Sequence, residues 1–173
     1  NIKNVQLIER ASKDQEGLVK ELKSVGFWKG NSSKQEMKFN AVVGNPPYQI
    51  MDGGGTGSSA TPIYNKFVDL AKLLNPNNVS MIIPAKWYTG GKGLDEFRAN
   101  MLNDKQLIKL FDYEDSRDCF PTVDIAGGVC YFVWNKGSDN KCVVTSILGS
   151  FRNESTRYLN EHDTFIRNQK VLD

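Results

Sequence analysis

The run Phe39-Asn40-Ala41-Val42-Val43-Gly44-Asn45-Pro46-Pro47-Tyr48 decides the fold of this 173-residue chain. Its first six residues read as a short buried strand, with adjacent β-branched valines. Its last four stop that strand abruptly, because Pro46 and Pro47 remove two backbone donors and fix two φ angles. Downstream, residues 51–61 are almost all Gly, Ser, Thr and Asp and read as a flexible loop. A helix is expected from Pro62 to Leu74, with Thr61 as N-cap and Pro62 in the first helical position. Ile63, Phe67, Leu70, Ala71 and Leu74 would form its apolar face. Val79 to Ile83 is a second buried strand, stopped by Pro84. Residues 94–103 read as helix, with Leu94, Phe97, Met101 and Leu102 inward. Three further strands are expected: Leu107 to Phe111, Gly127 to Trp134 and Val143 to Leu148. The last two would pair as a hairpin through Asn135-Lys136-Gly137-Ser138-Asp139-Asn140.

Upstream, residues 1–26 read as polar and mostly helical, with Leu18, Val19 and Leu22 at helical spacing. Residues 30–36 read as a loop, and the polar tail 151–173 receives no assignment. Strand, helix, strand, helix, strand and hairpin make an α/β pattern, a parallel sheet with an antiparallel element at its end. Ligands of such sheets bind beyond the carboxyl ends of the strands, where Asn45 to Tyr48 would lie.

Composition narrows the classes of function. Hydrophobic residues are 39% and charged residues 24%, the balance of an ordinary globular domain. No apolar run approaches the roughly 20 residues of a membrane-spanning helix. The opening Asn1-Ile2-Lys3-Asn4 has no apolar stretch behind it, so it is not a signal peptide. It also lacks Met, which reads as an internal piece of a longer chain. Net charge is +2, with the surplus in residues 1–38, where eight Lys/Arg face five Asp/Glu. Nucleic-acid affinity from this chain alone should therefore be weak. Cys119, Cys130 and Cys142 are odd in number and widely spaced, so neither a disulfide framework nor a metal ligand set is expected. They read as small core residues in a reducing, cytoplasmic compartment.

The four residues Asn45 to Tyr48 carry the chemistry. Two successive prolines make the segment rigid, and Pro47 also holds Pro46 extended. The Asn45 side-chain oxygen and the Pro46 carbonyl then stand as two fixed acceptors. A planar amino group presents two donors, and its lone pair is delocalised, so it is a poor nucleophile. Two acceptors on its hydrogens leave more electron density on its nitrogen. Tyr48 adds a flat face on which an unstacked base could lie, a contact worth about 1–3 kcal/mol. The bland alternative is a tight turn that ends a strand.

The stretch from Phe39 to Gln49 resembles motif IV of amino-methyltransferases that use S-adenosylmethionine. More narrowly, it resembles the adenine-specific DNA methyltransferases of type II restriction-modification systems, including the type IIG enzymes fused to a nuclease. Three later stretches agree in order. Tyr64 to Ala71 is similar to the helix after motif IV, Val79 to Trp87 to the strand and Pro turn of motif VI, and Phe120 to Phe132 to the segment around motif VIII. The resemblance covers about residues 37–135 and implies the C-terminal half of a Rossmann-like methyltransferase sheet. It implies that Asn45 and the Pro46 carbonyl accept hydrogen bonds from the amino group of a flipped adenine. Tyr48 would stack on that base, with Phe120 on its other face and Phe132 as the fallback. Flipping is required because the amino nitrogen is otherwise tied up in double-stranded DNA.

The chain departs from this family's pattern before Asn45. A Gly-rich cofactor loop should precede motif IV, but only Gly17, Gly26, Gly30 and Gly44 stand there. The cofactor residues are thus unknown, and the cofactor-binding half is expected elsewhere in a parent chain. A target-recognition domain, with or without a nuclease, would complete that parent, and this fragment is expected to be inactive alone. The organisation that follows is a lead-in at 1–36, the catalytic part at 37–150 and a tail at 151–173.

Other signals are weaker. Gly55-Thr56-Gly57-Ser58-Ser59-Ala60 matches a dinucleotide fingerprint by letter but follows a loop, not a strand. Gly90-Gly91-Lys92-Gly93 lacks phosphate-loop spacing and reads as a surface turn. Glu36-Met37-Lys38 has nuclease-like spacing without an acidic partner and reads as a charged strand entrance. Lys86 is either a phosphate contact or a solvated lysine. Trp87 and Tyr88 either line the DNA side of a cleft or pack. Asp112 to Asp118, with four acids, reads as a solvated loop. Two competing functions stand beside the DNA enzyme. One is a methyltransferase acting on a protein glutamine amide, whose planar amino group suits the same acceptors. The other is a non-catalytic binding or assembly module.

Overall fold

The computed structural model describes residues 4–30, 32, 35–51 and 60–167. The lead-in is helical as expected: α1 (Asn4–Lys13), α2 (Gln15–Leu22) and α3 (Val25–Lys29). Asp14 separates the first two and caps the second, its Oδ1 accepting the Gly17 N–H at 3.0 Å. Then follow β1 (Ala41–Gly44), β2 (Gln49–Met51), β3 (Ala60–Pro62), α4 (Tyr64–Leu73) and β4 (Asn78–Pro84). After them come α5 (Asp95–Asn103), β5 (Leu107–Tyr113), β6 (Val129–Asn135), β7 (Cys142–Leu148) and β8 (Phe151–Arg157).

Six strands form one sheet in the order β1-β4-β6-β5-β7-β8, while β2 and β3 make a separate antiparallel pair. β1 runs parallel to β4 and β5 parallel to β7, whereas β6 is antiparallel to both of its neighbours. Four strands therefore point one way, and β6 and β8 oppose them. The chain is α/β, with an antiparallel hairpin closing one end of the sheet. That hairpin is β7–β8, not the pairing of 127–134 with 143–148 expected from the turn residues. The turn reverses the chain, but it passes over the start of β5, where Gln106 Oε1 accepts the Gly137 N–H at 2.7 Å. Turn residues set the reversal; the neighbour is chosen by burial on both sides of β6.

One face of the sheet holds the core. Val79, Met81, Ile83, Leu110, Phe132 and Val144 pack there with Val68 and Ala71 of α4 and Phe97 and Met101 of α5. Each large apolar side chain so buried contributes about 1.5–3 kcal/mol. The flank of α4 bearing Leu70 and Phe67 meets Ala11 and Leu18, which ties α1 and α2 to the domain. The expected start of α4 needs correction. Thr61 and Pro62 pair with Ile50 and Gln49 in β3, and Ile63 stands at the N-cap without a side-chain bond. The β2–β3 ladder has taken the residues that local capping rules would place in the helix.

One further expectation changes. Asp112, read as part of a solvated loop, is fully buried in β5, because strand alternation turns it onto the core face. Of the two readings given for Trp87 and Tyr88, packing is the one the structure shows: they are 0% and 4% exposed, in the core. Part of the unassigned tail is β8, and the chain then folds back beneath Tyr88. Phe165 donates its N–H to the Tyr88 carbonyl at 3.2 Å and sets its ring 4.3 Å from the Tyr88 ring. The dinucleotide-like letters at 55–59 lie outside the described residues.

Candidate active site

β1 and β4 run in parallel, and both end at the same rim of the sheet. Asn45, Pro46, Pro47 and Tyr48 follow β1 at that rim. Asn45 and Pro47 are exposed, Pro46 is buried and Tyr48 is half-buried. The segment is held at its far end as well, since the Tyr48 carbonyl accepts the Ile63 N–H at 3.1 Å. A rigid dipeptide between two anchored ends fixes the Pro46 carbonyl, and the backbone from which the Asn45 side chain projects, relative to the sheet.

The opposite wall comes from the connection between β5 and β6. Ser116, 1% exposed, organises it. Its hydroxyl donates to the Val123 carbonyl at 2.9 Å and accepts the Ile125 N–H at 2.8 Å. Its carbonyl accepts the Phe120 N–H at 2.7 Å. The loop closes tightly at Gly128, φ +80°, where a Cβ would stand 2.1 Å from the Tyr113 carbonyl oxygen. These bonds present Phe120, Val123 and Ile125 to the Asn45–Tyr48 segment. Together the two walls flank an open hollow of about 310 Å³. That volume falls in the ~300–1,000 Å³ range of small-molecule sites.

Asn45, Pro46, Tyr48 and Phe120 thus line one cavity. Phe132 does not join them; it is 0% exposed in the core, so it cannot serve as a stacking face. Sequence reasoning did not find Ser116, Val123 or Ile125. A lone serine in an acidic loop gives no sign that its hydroxyl will hold two backbone groups. The Tyr48 hydroxyl is shielded from solvent and has no regular hydrogen-bond partner. Burial, then the nearby Cys119 and Cys130, push its ionisation up, while Asn45 eases it slightly. Tyr48 is therefore a neutral phenol, an apolar plate and not a base.

The cavity is lined by one backbone acceptor, the Pro46 carbonyl, by the Asn45 side-chain amide and by two aromatic rings. It can take a flat, neutral group with an exocyclic amine at its edge. The residues before Asn45 do not fit an adenosyl cofactor. Gly17 and Gly26 lie within helices, Gly30 caps α3 with φ 63°, and Gly44 ends β1. Among the described residues, none forms a glycine turn between a strand and a helix ahead of the site.

Several known proteins are similar to this chain. Residues 1–120 match the family model described as "Eco57I restriction-modification methylase". An "Uncharacterized adenine-specific methylase" of Mycoplasma pneumoniae is 34% identical over 147 residues, covering 78% of this chain and 35% of that protein. The "Type II methyltransferase M.PstI" of Providencia stuartii is 25% identical over 126 residues, covering 68% of this chain and 25% of that protein. The methyltransferase subunit of a type I restriction-modification system from Streptococcus thermophilus is 12% identical, with a TM-score of 0.47 over 82% of this chain and 32% of its own. The chain thus spans about a third or less of the length of the curated relatives it matches.

Proposed function

Since the chain belongs to the Eco57I restriction-modification methylase family, we propose that it carries the amino-acceptor side of an adenine-specific DNA methyltransferase. The observation that carries this reading is the single cavity lined by Asn45, Pro46, Tyr48 and Phe120. A flipped adenine enters between Tyr48 and Phe120. Its amino group donates to the Asn45 side-chain oxygen and to the Pro46 carbonyl, which orients the nitrogen and keeps its lone pair available. No side chain here needs to remove a proton before methyl transfer, and no covalent enzyme intermediate is required. Positioning and preorganised acceptors do the work.

S-adenosylmethionine would supply the methyl group. The described residues do not form its seat, so in this reading the donor is held by other parts of a longer parent chain. β1 supports that view. Among the described residues it lies at the edge of the sheet, paired only with β4, and Val43 is 75% exposed. An unpaired edge strand with an exposed valine suits a further strand beside it. Residues 37–150 would carry the chemistry, with 1–36 leading in and 151–173 running toward a target-recognition domain. DNA is the expected partner, and the 173-residue chain alone is expected to transfer no methyl group.

The test is Asn45→Ala in the intact parent protein, with radiolabelled donor and DNA. Methyl transfer should fall to background while donor binding is kept. Equal loss of both would remove the role given to Asn45. Mass analysis of the product separates methyladenine from a methylated glutamine amide, the competing substrate that two aromatic plates disfavour.

A further inference from the structure

A second cavity, about 470 Å³, lies against the first and shares Tyr48 and Ile125 with it. Its rim carries Lys86 and Lys92 against one acid, Asp124. We propose that it seats a phosphodiester of the DNA strand bearing the acceptor base, with Lys86 as the cationic contact. This inference rests on the adenine reading of the first cavity and names how the rest of the nucleotide is held.

Lys86 sits in a short 3₁₀ helix, Ala85–Tyr88, between residues that are buried: Ala85 at 2% and Trp87 at 0% exposed. Its backbone is therefore fixed while its side chain is exposed. It has no ion-pair partner among the described residues. The adjoining wall is the loop Gly90-Gly91-Lys92-Gly93. All four residues are left-handed, with φ of 74°, 82°, 48° and 79°. Lys92 holds that conformation at a cost of about 1–2 kcal/mol, so the loop shape is imposed by its surroundings. Arg98 donates to the Thr89 carbonyl at 2.5 Å, and Asp95 Oδ1 accepts the Gly91 N–H at 3.1 Å. Both anchors lie on α5, behind the loop. The result is a preformed hollow edged by two lysines, in a chain whose net charge is only +2.

The two cavities are complementary in chemistry. One is flat and mostly apolar with two acceptors; the other is cationic at its rim. They are divided by two side chains. A nucleotide joins a flat base to an anionic phosphate through one sugar, so a single unstacked nucleotide can occupy both. A lysine contributes here as a point charge, favouring phosphate without reading sequence.

The test measures binding of single-stranded oligonucleotides to the 173-residue chain by fluorescence anisotropy over a range of salt. One probe has a single adenine in a thymine tract. A second has neutral methylphosphonates at the two linkages flanking that adenine, and a third has thymine only. Lys86→Ala should weaken the first probe several-fold and lower the salt slope by about 0.7, the single-strand value for one phosphate. It should leave the second probe unchanged, and Lys86→Arg should restore binding. Asn45→Ala should weaken both adenine probes alike, with the salt slope kept. If Asn45→Ala acts but Lys86→Ala does not, the phosphate seat is overturned and the adenine reading stands. If the unaltered chain shows no preference for adenine over the thymine-only probe, the adenine reading falls and takes this one with it.

Discussion

Arg167 places its Nε 2.9 Å from Oδ2 of Asp112, joining the C-terminal strap to a carboxylate with no exposed surface. The guanidinium also lies 5.1 Å from the centroid of the Tyr88 ring. A buried charge is tolerated only when paired, and here the partner arrives from the far end of the chain. The pairing is incomplete: burial is the dominant influence and raises the Asp112 pKa to about 6, against the opposing effects of Arg167 and Tyr88.

That shift gives stability a pH dependence with a definite sign. The folded state holds the Asp112 proton more tightly than the unfolded chain, whose carboxylate titrates near pH 3.9. The contribution is complete below about pH 4 and is lost as pH rises through about 6. From this group alone, stability should fall by about 1 kcal/mol between about pH 5 and about pH 7.5. Urea denaturation at the two values measures it. Asp112→Asn should flatten the change, and an unaltered slope in that variant would refute the assignment. Arg167→Ala should cost about 2 kcal/mol or more at the higher pH and less at the lower.

Phe120 and Phe132 separate site from core. Phe132→Ala should destabilise the chain by about 3–5 kcal/mol. Phe120→Ala, at a half-buried loop position, should cost under about 1 kcal/mol while weakening adenine binding. Thermal melts paired with the adenine probe test both. Equal destabilisation by the two substitutions would mean that Phe120 is a packing residue.

Much of this architecture was legible in the sequence because its causes are local. The valine strand, exposed at the sheet edge rather than buried as expected, its stop at two prolines and the apolar faces of α4 and α5 are all written within a few residues. What failed was non-local. Nothing near residues 129–135 says that this strand lies between β4 and β5, and Asp112 looked solvated because its partner is Arg167. The site divides in the same way. Asn45, Pro46 and Tyr48 are adjacent in the chain and could be read directly. Ser116, which fixes the opposite wall, acts through backbone groups that carry no residue-type signature.

Gly128 provides a backbone test. Alanine there meets the Tyr113 carbonyl oxygen and a φ of +80°, whereas alanine at Gly137, φ +78°, meets nothing within 4 Å. Gly137→Ala should cost about 1–2 kcal/mol from the left-handed backbone alone. Gly128→Ala adds a clash with main-chain atoms and should cost several kcal/mol and disturb the Phe120 wall. Comparable melting temperatures for the two variants would contradict the close approach.

Thiol chemistry should sort the three cysteines. Burial pushes Cys130 and Cys142 up to about 12, so both stay protonated and shielded. Cys119 is also raised by burial, but it is only half-buried in the loop beside the candidate site. Iodoacetamide should therefore label Cys119 first, with the other two reacting only after denaturation. Early labelling of Cys130, located by peptide mapping, would count against the packed core around Trp87.

The insertion of β6 between β4 and β5 has a consequence for biosynthesis. Translation delivers β4 and β5 first, yet they cannot pair with each other in the final sheet; the strand that joins them is made later. A nascent chain that has emerged only as far as Asp118 presents two apolar strands with the gap between them still open. Residues Asn45 to Tyr48 have been made at that stage, but β6, which follows the facing wall, has not. Closure of the sheet and assembly of the acceptor cavity therefore become a single event, timed by the exit of residues 129–135 from the ribosome.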